Sequence, residues 1–294
     1  MDQNGLAGLK SHSALVGSNP DLVQASGGNT SYKNGSCMWV KGSGFRLKDA
    51  HIQNIFAEIK LGSLTAKQIA DKHDFSDYLC NEILPSIETN FHLMLEGNFV
   101  THLHSLGAIS LGISSELTQS RLNNSEIRIV PYARPGVDLA NAIYKIEGFQ
   151  DHTLLLRNHG VIFTARTLEE IEKKINTFEN NVELIFGELE KSEEFPSWVE
   201  ILVSGVLTPD QAVFLGPKPF IESNSPSEKS VSINSFGELL FPSYFSKDRI
   251  EMAYFYSRVA KLVEKKTRIC YLSSQEVESL LNWDREKKRI QMAN

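Results

Sequence analysis

Cysteine is scarce in this sequence. Its 294 residues include three cysteines, Cys37, Cys80 and Cys270, which are widely separated and form no Cys-x-x-Cys pair. Isolated thiols in odd number do not make a disulfide framework or a cysteine-rich structural metal site. We therefore expect reduced, packed thiols in a cytoplasmic protein.

Long apolar runs and basic clusters are also missing. No apolar stretch approaches the ~18 residues that span a bilayer, and residues 1–4 show no basic region followed by an apolar one. The net charge is −6, and no Lys/Arg cluster is interleaved with aromatic side chains. These absences argue against a membrane protein, a secretory signal and a nucleic-acid surface. With 41% hydrophobic residues, the chain can bury a large core in one domain, with or without a terminal extension.

Three histidines form a pattern suited to metal binding. His102 and His104 follow the apolar pair Phe99-Val100, which predicts that they end a β-strand. Because side chains at i and i+2 of a strand share a face, the two imidazoles should lie side by side. His159 lies in an Asn-His-Gly corner between two apolar, strand-like runs. A set of three imidazoles holds a divalent metal and leaves one position open for water or substrate.

Two loops of small residues precede this strand. Residues 26–32, Ser-Gly-Gly-Asn-Thr-Ser-Tyr, offer backbone N–H groups and hydroxyls of the kind that bind anions, although an ordinary turn is the alternative. Asn34-Gly35 predicts a hairpin turn. The hairpin would bring the first loop beside a second, residues 41–44, Lys-Gly-Ser-Gly. Two such loops and the Lys41 cation at one spot favour a phosphate or carboxylate site.

A helix should open near Pro85, with Ser86 as its N-cap. Glu88 then lies in the first turn, where it is either a favourable charge at a helix N-terminus or an acid/base group. His92 lies one turn later on the same face, and we expect a packed or capping histidine there rather than a fourth ligand.

Helical spacing is predicted elsewhere too. The segments are residues 12–24, 47–61, 65–83, 105–111, 167–189, 247–265 and 274–292. Capping boxes at Thr167–Glu170 and Ser273–Glu276 support two of them. Residues 128–130 predict a strand, followed by a Pro/Gly loop that displays Tyr132 and Arg134 for substrate binding or for an interface.

Five motifs, taken in order, resemble the class II aldolase/adducin family. They are Gly27-Gly28-Asn29-Thr30-Ser31, Lys41-Gly42-Ser43-Gly44, Pro85-Ser86-Ile87-Glu88-Thr89, His102-Leu103-His104 and Leu156-Arg157-Asn158-His159-Gly160-Val161. The resemblance covers roughly residues 14–190 and is most similar to the branch in which the aldolase domain is often fused to a short-chain dehydrogenase. Residues 207–211 and 281–286 also look like features of that branch.

The resemblance implies an α/β fold, a three-layer α/β/α sandwich around a central, mainly antiparallel sheet. We expect this domain to occupy residues 1–200, and residues 201–294 to form a C-terminal extension that packs on it or on a neighbouring subunit. The resemblance also implies that His102, His104 and His159 hold a catalytic divalent metal, usually Zn²⁺, beside the acid/base residue Glu88.

The resemblance further implies that the substrate phosphate contacts Asn29, Ser31, Ser43, Gly44 and Ser86. The loop composition adds Thr30, Lys41 and Tyr132 as candidate substrate-binding residues. Two departures change the anion site. Ile87 stands where the phosphate-binding aldolases carry a second serine, and Lys41 stands where they carry a hydroxyl residue.

The implied activity is that of a metal-dependent aldolase, a lyase that cleaves a phosphorylated or otherwise anionic ketose through an enediolate. An epimerase, dehydratase or decarboxylase on the same site is an alternative, and so is a non-catalytic, adducin-like interaction protein. Adducin-like domains lack the metal-binding histidines, which favours an enzyme here. Related enzymes form tetramers, so we expect a homo-oligomer whose contacts include Tyr132, the 167–189 helix and the tail.

Overall fold

The computed structural model describes residues 3–117, 122, 126–187 and 197–283. In this part of the chain the helices are α1 (Gln3–Gly17), α2 (Ala66–Ala70), α3 (Thr89–Met94), α4 (Leu106–Gly112), α5 (Val137–Tyr144), α6 (Leu168–Phe186), α7 (Trp198–Val203), α8 (Pro209–Leu215), α9 (Lys247–Val263) and α10 (Ser274–Leu281). None of these described helices combines the length and apolarity that crossing a membrane requires.

A seven-stranded sheet forms the centre of the molecule. Its strands are β1 (Asn29–Asn34), β2 (Cys37–Lys41), β3 (Phe56–Lys60), β4 (Phe99–Leu103), β5 (Ile127–Val130), β6 (Thr153–Leu156) and β7 (Gly160–Ala165). They lie in the order β3-β2-β1-β4-β7-β6-β5, and neighbours are antiparallel except for the parallel pair β5–β6. The predicted mainly antiparallel sheet is confirmed.

Helices cover both faces of the sheet. One face packs against α1, α4 and α6, through residues such as Leu9, Ile109 and Phe178. The other packs against α2, α3 and α5, through residues such as Phe91 and Leu139. The three-layer sandwich is therefore as predicted, and β4 runs through its middle between β1 and β7.

The tail packs on the first of these faces. Its α9 contacts α4, α7 and α8, and Phe214, Val259 and Ala260 belong to the same buried cluster as Ile109. Three short strands, β8 (Phe220–Glu222), β9 (Val231–Ile233) and β10 (Leu239–Leu240), form a separate small sheet. The tail thus shares a core with the preceding residues, while a domain boundary at residue 200 stays a prediction.

The three helices predicted between residues 12 and 83 are wrong in extent or type. The first helix spans Gln3–Gly17 rather than 12–24, because Gly5 and Gly8 pack closely against Tyr32 and Leu168, and Pro20 lies beyond its end. Residues 47–61 form one 3-10 turn (47–51) and then strand β3.

Residues 65–83 hold only the short α2, which a Thr65–Gln68 capping box opens, and a 3-10 turn at 76–78. The hairpin loop is Gly35-Ser36 rather than Asn34-Gly35, since Asn34 pairs with Cys37.

The long amphipathic helix begins at its predicted capping box but ends earlier than expected. α6 stops at Phe186 with Gly187 as its C-cap, so Leu189 lies outside the described residues, as do Glu193–Pro196 and 284–292. The predicted apolar stripe, including Ile171, Ile175 and Phe178, faces the core of this chain. The strand at 128–130 and the helix opened by Ser105 are confirmed. The helix opened by Ser273 begins as predicted but ends at Leu281, with Asn282 as its C-cap, rather than at residue 292.

Candidate metal centre

Strand β4 delivers two of the three candidate ligands. His102 pairs across the sheet with Asn29 and with Ile162, and His104 directly follows the last residue of the strand. The ring centroids of His102 and His104 lie 4.7 Å apart, and their Nε2 atoms are 2.9 Å apart. The i, i+2 spacing therefore brings both imidazoles to one place, as the strand geometry predicts.

The third candidate ligand, His159, lies at the corner between β6 and β7. His159 follows Asn158, whose φ of +53° is in the left-handed region, and precedes Gly160. A Cβ atom on Gly160 would lie 2.3 Å from the carbonyl oxygen of Leu103, so only glycine allows this close approach to β4. The His159 ring lies 5.0 Å from that of His102 and 5.1 Å from that of His104. One ligand atom from each histidine falls within a 4.8 Å cluster, and all three residues are buried.

The outer ring nitrogens fix the orientation of two imidazoles. His102 Nδ1 donates to the Val161 carbonyl oxygen at 3.0 Å, and His104 Nδ1 lies 2.8 Å from Asp210 Oδ2. Their Nε2 atoms consequently point to the shared centre. Burial, reinforced by the neighbouring imidazoles, lowers the pKa of His102 to about 3, so this ring is neutral near pH 7.

Glu88 lies beside the triad, at the start of α3. The helix begins at Thr89 with Glu88 in the N-cap position; Ser86 is therefore not the N-cap, and its hydroxyl instead accepts from the Glu88 N–H at 3.2 Å. The two carboxylate oxygens of Glu88 lie 3.3 Å from His159 Nε2 and 3.6 Å from His102 Nε2. Glu88 is 6% exposed.

A chain of buried polar groups orients this carboxylate. Asn29 Nδ2 donates to Glu88 Oε2 at 2.9 Å, while the side-chain oxygen Oδ1 of Asn29 accepts from His92 Nε2. His92 Nδ1 in turn accepts from the Ser31 hydroxyl at 2.7 Å. His92 is therefore a packed histidine, as predicted, and burial lowers its pKa well below the usual value. These hydrogen bonds hold the Glu88 carboxylate in place beside the triad.

The pKa of Glu88 is lowered to about 2. Burial acts in the opposite direction, but the surrounding imidazoles of His102, His159 and His104 and the hydrogen bond from Asn29 outweigh it. Glu88 is thus a carboxylate at neutral pH, in a position from which it can accept a proton.

The donor set fits a divalent cation. Glu88 Oε1 is buried and makes no hydrogen bond with the described residues, although it faces His159 Nε2. A carboxylate oxygen and imidazole lone pairs around one point satisfy one another through a cation between them. Three imidazoles and one nearby carboxylate match an open, catalytic type of metal site.

A cavity opens above the triad, between the two small-residue loops. The predicted residues that line it are Asn29, Lys41, Ser43, Gly44, Ser86, Glu88, His104 and His159. Both loops reach it, because β1 and β2 are antiparallel and the loops lie at the same end of the hairpin. The structure therefore brings the two loops, the carboxylate and the three histidines together around one point.

Lys41 lines this cavity, but its ammonium group contacts backbone carbonyl oxygens. Its ammonium group donates to the carbonyl oxygens of Ser26 at 2.6 Å and Phe45 at 3.0 Å, and lies 3.4 Å from that of Gly27. The residue is 3% exposed. Lys41 thus ties the two loops together through their backbones, which is a different use of the charge from the substrate contact that the sequence suggested.

Three predicted substrate-binding residues are not brought to the cavity lining. Thr30 points to the opposite face of the sheet from Asn29, and its hydroxyl bonds the Ser13 hydroxyl at 2.7 Å. Ser31 contacts His92 instead. Tyr132 packs against an apolar cluster of the tail that includes Val206 and Leu280.

Sequence reasoning missed Asp210. The tail motif at 207–211 was noticed without a role, although Thr208-Pro209-Asp210 has the form of a helix start, which the structure confirms. Asp210 and His104 are far apart in the sequence, and no local pattern links them. The only sequence signal was an acidic residue in the first turn of a helix, and this position is common for acidic residues without any site.

The chain is similar in sequence to several known proteins. The model of the class II aldolase and adducin N-terminal domain matches residues 13–186. The "Uncharacterized oxidoreductase YuxG" of Bacillus subtilis is 28% identical over 215 residues, which are 65% of this chain and 31% of that protein. The "3-oxo-tetronate 4-phosphate decarboxylase" of Escherichia coli is 28% identical over 146 residues, 43% of this chain and 66% of that protein.

A solved structure has a similar fold. The N-terminal class II aldolase domain of a conserved protein from Thermoplasma acidophilum has a TM-score of 0.50 and 25% identity, and the match covers 63% of this chain and 94% of that one. The chain thus spans about a third of YuxG and just under two thirds of the decarboxylase.

Proposed function

Because this chain belongs to the class II aldolase and adducin family, we propose that it is a divalent-metal-dependent lyase acting on a phosphorylated or otherwise anionic, sugar-like substrate. The observation that carries the proposal is the convergence of His102, His104 and His159 beside the buried carboxyl group of Glu88. A non-catalytic, adducin-like role has no need of this arrangement.

The residues that would hold the metal are the three histidines, and zinc is the ion that we propose. Neutral imidazoles leave the full positive charge of the ion available at the open position. When bound, the ion supplies Lewis-acid stabilisation of the negative charge that develops on a carbonyl oxygen, an effect worth several kcal/mol.

Glu88 carries the proton transfers in this proposal. A retro-aldol cleavage removes a proton from the hydroxyl that becomes the aldehyde, and the electron pair of the breaking C–C bond passes toward the neighbouring carbonyl as an enediolate. The enediolate carbon that received this electron pair must then be protonated. Glu88 begins as a carboxylate, so it can take the first proton and return one to that carbon. The Asn29 hydrogen bond holds it in position for both.

The two small-residue loops form the part of the cavity that is suited to binding an anion. Ser43, Gly44 and Ser86 line its wall, and backbone N–H groups of such loops favour phosphate or carboxylate. Gly44 has a φ of +80°, which lets the second loop turn tightly at this point. We propose that the anionic group of the substrate binds here.

Decarboxylation is the second candidate. The relatives named as 3-oxo-tetronate 4-phosphate decarboxylases favour it, because they are 28% and 27% identical to this chain. Loss of CO₂ from a 3-oxo acid leaves an enolate on the same carbon–oxygen frame, and this enolate also needs charge stabilisation and one proton. The same residues can serve both reactions.

The deciding experiment presents the zinc-loaded chain with two matched substrate sets. Ketose phosphates report aldehyde release, and phosphorylated 3-oxo acids report CO₂ release. Aldehyde release supports the aldolase, and CO₂ release supports the decarboxylase. Absence of both, with one metal bound per chain, would overturn the proposed lyase.

Glu88→Gln tests the role of the carboxylate. We expect turnover to fall by about 10²–10⁴-fold, because the variant cannot accept or return a proton, while metal stays bound. Glu82→Gln, at an exposed position outside the site, is the matched control and should leave turnover unchanged. Normal turnover in Glu88→Gln would remove Glu88 from the mechanism.

Assembly and location stay predictions. We propose a homo-oligomer, with a tetramer expected, and a cytoplasmic location. Light scattering of the purified chain measures the first directly, and a mass of about 33 kDa, that of one chain, would contradict it.

A further inference from the structure

Asp210 connects the tail to the candidate metal centre. Its Oδ2 atom lies 2.8 Å from Nδ1 of His104, and the side chains of both residues are more than nine-tenths buried. Asp210 lies outside residues 13–186, the range that the family model matches. The contact therefore comes from a part of the chain that the family model does not match.

The contact is on the side of the ring where a metal-binding histidine needs a partner. His104 Nε2 faces His102 Nε2 at 2.9 Å, so Nδ1 is the outer nitrogen. A neutral imidazole that binds a metal through Nε2 carries its proton on Nδ1. A carboxylate that accepts this proton fixes the tautomer and raises the basicity of the ligand.

The start of α8 is built to hold the carboxylate there. Thr208 caps the helix by accepting from the Gln211 N–H, and its hydroxyl bonds the Tyr256 hydroxyl on α9. The Gln211 side chain accepts from the Leu207 N–H at 2.5 Å. Asp210, in the first turn, is therefore carried on a rigid, fully buried element.

The same element also reaches the corner of His159. Asn158 donates through Nδ2 to the carbonyl oxygens of Leu207 at 2.9 Å and Cys270 at 2.7 Å. The segment before α8 thus contacts the residue next to one ligand, while Asp210 contacts another. Two ligands of the triad depend on the tail for their surroundings.

We propose that Asp210 is a positioning residue of the metal site, which accepts the Nδ1 proton of His104 and so keeps Nε2 free to bind the ion. The proposal rests on the metal-binding part of the proposed function. It means that the tail completes the site rather than merely covering the domain.

The test measures Zn²⁺ affinity of the full-length chain by competition with a chromogenic chelator. Asp210→Asn should weaken Zn²⁺ binding by about 10–100-fold, the range for loss of such a partner. Asp210→Glu, which keeps the charge, should recover part of the affinity. Glu278→Gln, an exposed tail carboxylate, is the matched control and should bind as the wild type does.

The outcomes separate this proposal from the proposed function. Equal affinity in wild type and folded Asp210→Asn overturns the role of Asp210 and leaves the metal site standing. Zn²⁺ binding without turnover on either substrate set overturns the lyase and leaves Asp210 in place. A wild type that binds no Zn²⁺ overturns both.

A second measurement needs no variant, in case Asp210→Asn fails to fold. Long-range ¹H–¹⁵N NMR of the zinc-loaded wild type reports which nitrogen of His104 carries the proton. We expect a protonated Nδ1 and a metal-bound Nε2. A metal-bound Nδ1 would overturn the proposal, because this atom could not then donate to Asp210.

Discussion

His102 and His104 lie two residues apart, yet different parts of the chain surround them. The outer nitrogen of His102 donates to a backbone carbonyl, that of Val161 on the adjacent strand β7. The outer nitrogen of His104 meets the carboxylate of Asp210, which belongs to the tail. One ligand is oriented by the sheet itself, and the other by a side chain from another region.

A backbone carbonyl and a side-chain carboxylate differ in how easily the contact to the histidine ring can be lost. A carbonyl of a sheet strand is fixed by the strand pairing and cannot be removed by substitution. A side-chain carboxylate adds charge, which raises ligand basicity, and a single substitution can remove it. We therefore expect the His102 side of the site to be robust and the His104 side to depend on the tail.

The largest effect should come from removing a ligand. His102→Ala and His104→Ala should each weaken Zn²⁺ binding by about 10³-fold, since three ligands share a binding free energy on the order of 10 kcal/mol. Chelator competition measures both variants. The two rings have different supports, but each should contribute one direct bond to the ion. A His104→Ala variant that binds Zn²⁺ like the wild type would show that His104 is not a ligand.

These ligands were also the part most open to sequence reasoning. The i, i+2 spacing of His102 and His104 is a local property of a strand, and the Asn-His-Gly corner of His159 is local to a turn. Local patterns also found the capping boxes of α6 and α10. The order of the motifs then implied the three-layer fold.

Long-range contacts were out of reach. Nothing near Asp210 indicates that it meets His104, and nothing near Lys41 indicates that backbone carbonyls use its charge. Helix 47–61 was misread because apolar residues of strand β3 also fit helical spacing over so short a stretch. The start of α1 at Gln3 was not predicted either, and Gly5 within it leaves room for the Tyr32 ring, which a Cβ atom would meet at 2.2 Å.

A smaller effect should come from Asn158, the second link between the tail and the triad. Asn158→Ala should lower the free energy of unfolding by about 3 kcal/mol, because two carbonyls lose a donor and alanine is strained at the left-handed φ. Asn158→Gly removes only the hydrogen bonds and should cost about 2 kcal/mol.

Urea unfolding of the metal-free variants measures both changes. Costs under about 0.5 kcal/mol, the range of ordinary surface substitutions, would show that the tail does not hold the His159 corner. A fall in Zn²⁺ affinity in Asn158→Gly would show that the position of His159, like that of His104, depends on the tail.

The smallest effect concerns the hydrogen bond between His12 on α1 and Thr101 on β4. His12 on α1 bonds the Thr101 hydroxyl through Nε2 at 2.9 Å, and burial lowers its pKa to about 4. Because the folded pKa is below the unfolded value, the stability from neutral His12 is complete above pH 6.5 and is lost as the pH falls toward 4.

Between pH 7 and pH 5 this loss should be about 2 kcal/mol. Urea unfolding at the two pH values measures it, with His12→Gln as the matched variant because glutamine does not titrate. The change in the free energy of unfolding between the two pH values, compared between wild type and variant, separates the contribution of His12 from that of the other histidines. An identical pH dependence in both would contradict a neutral, buried His12.

The central claim is that three imidazoles converge to bind one metal. X-ray absorption at the zinc edge, on the full-length chain loaded with one equivalent of Zn²⁺, tests it most directly. If the three histidines bind the ion, its first coordination shell should hold three imidazole nitrogens at about 2.0–2.1 Å and one oxygen ligand. A sulfur shell, an all-oxygen shell or failure to bind the equivalent would contradict it.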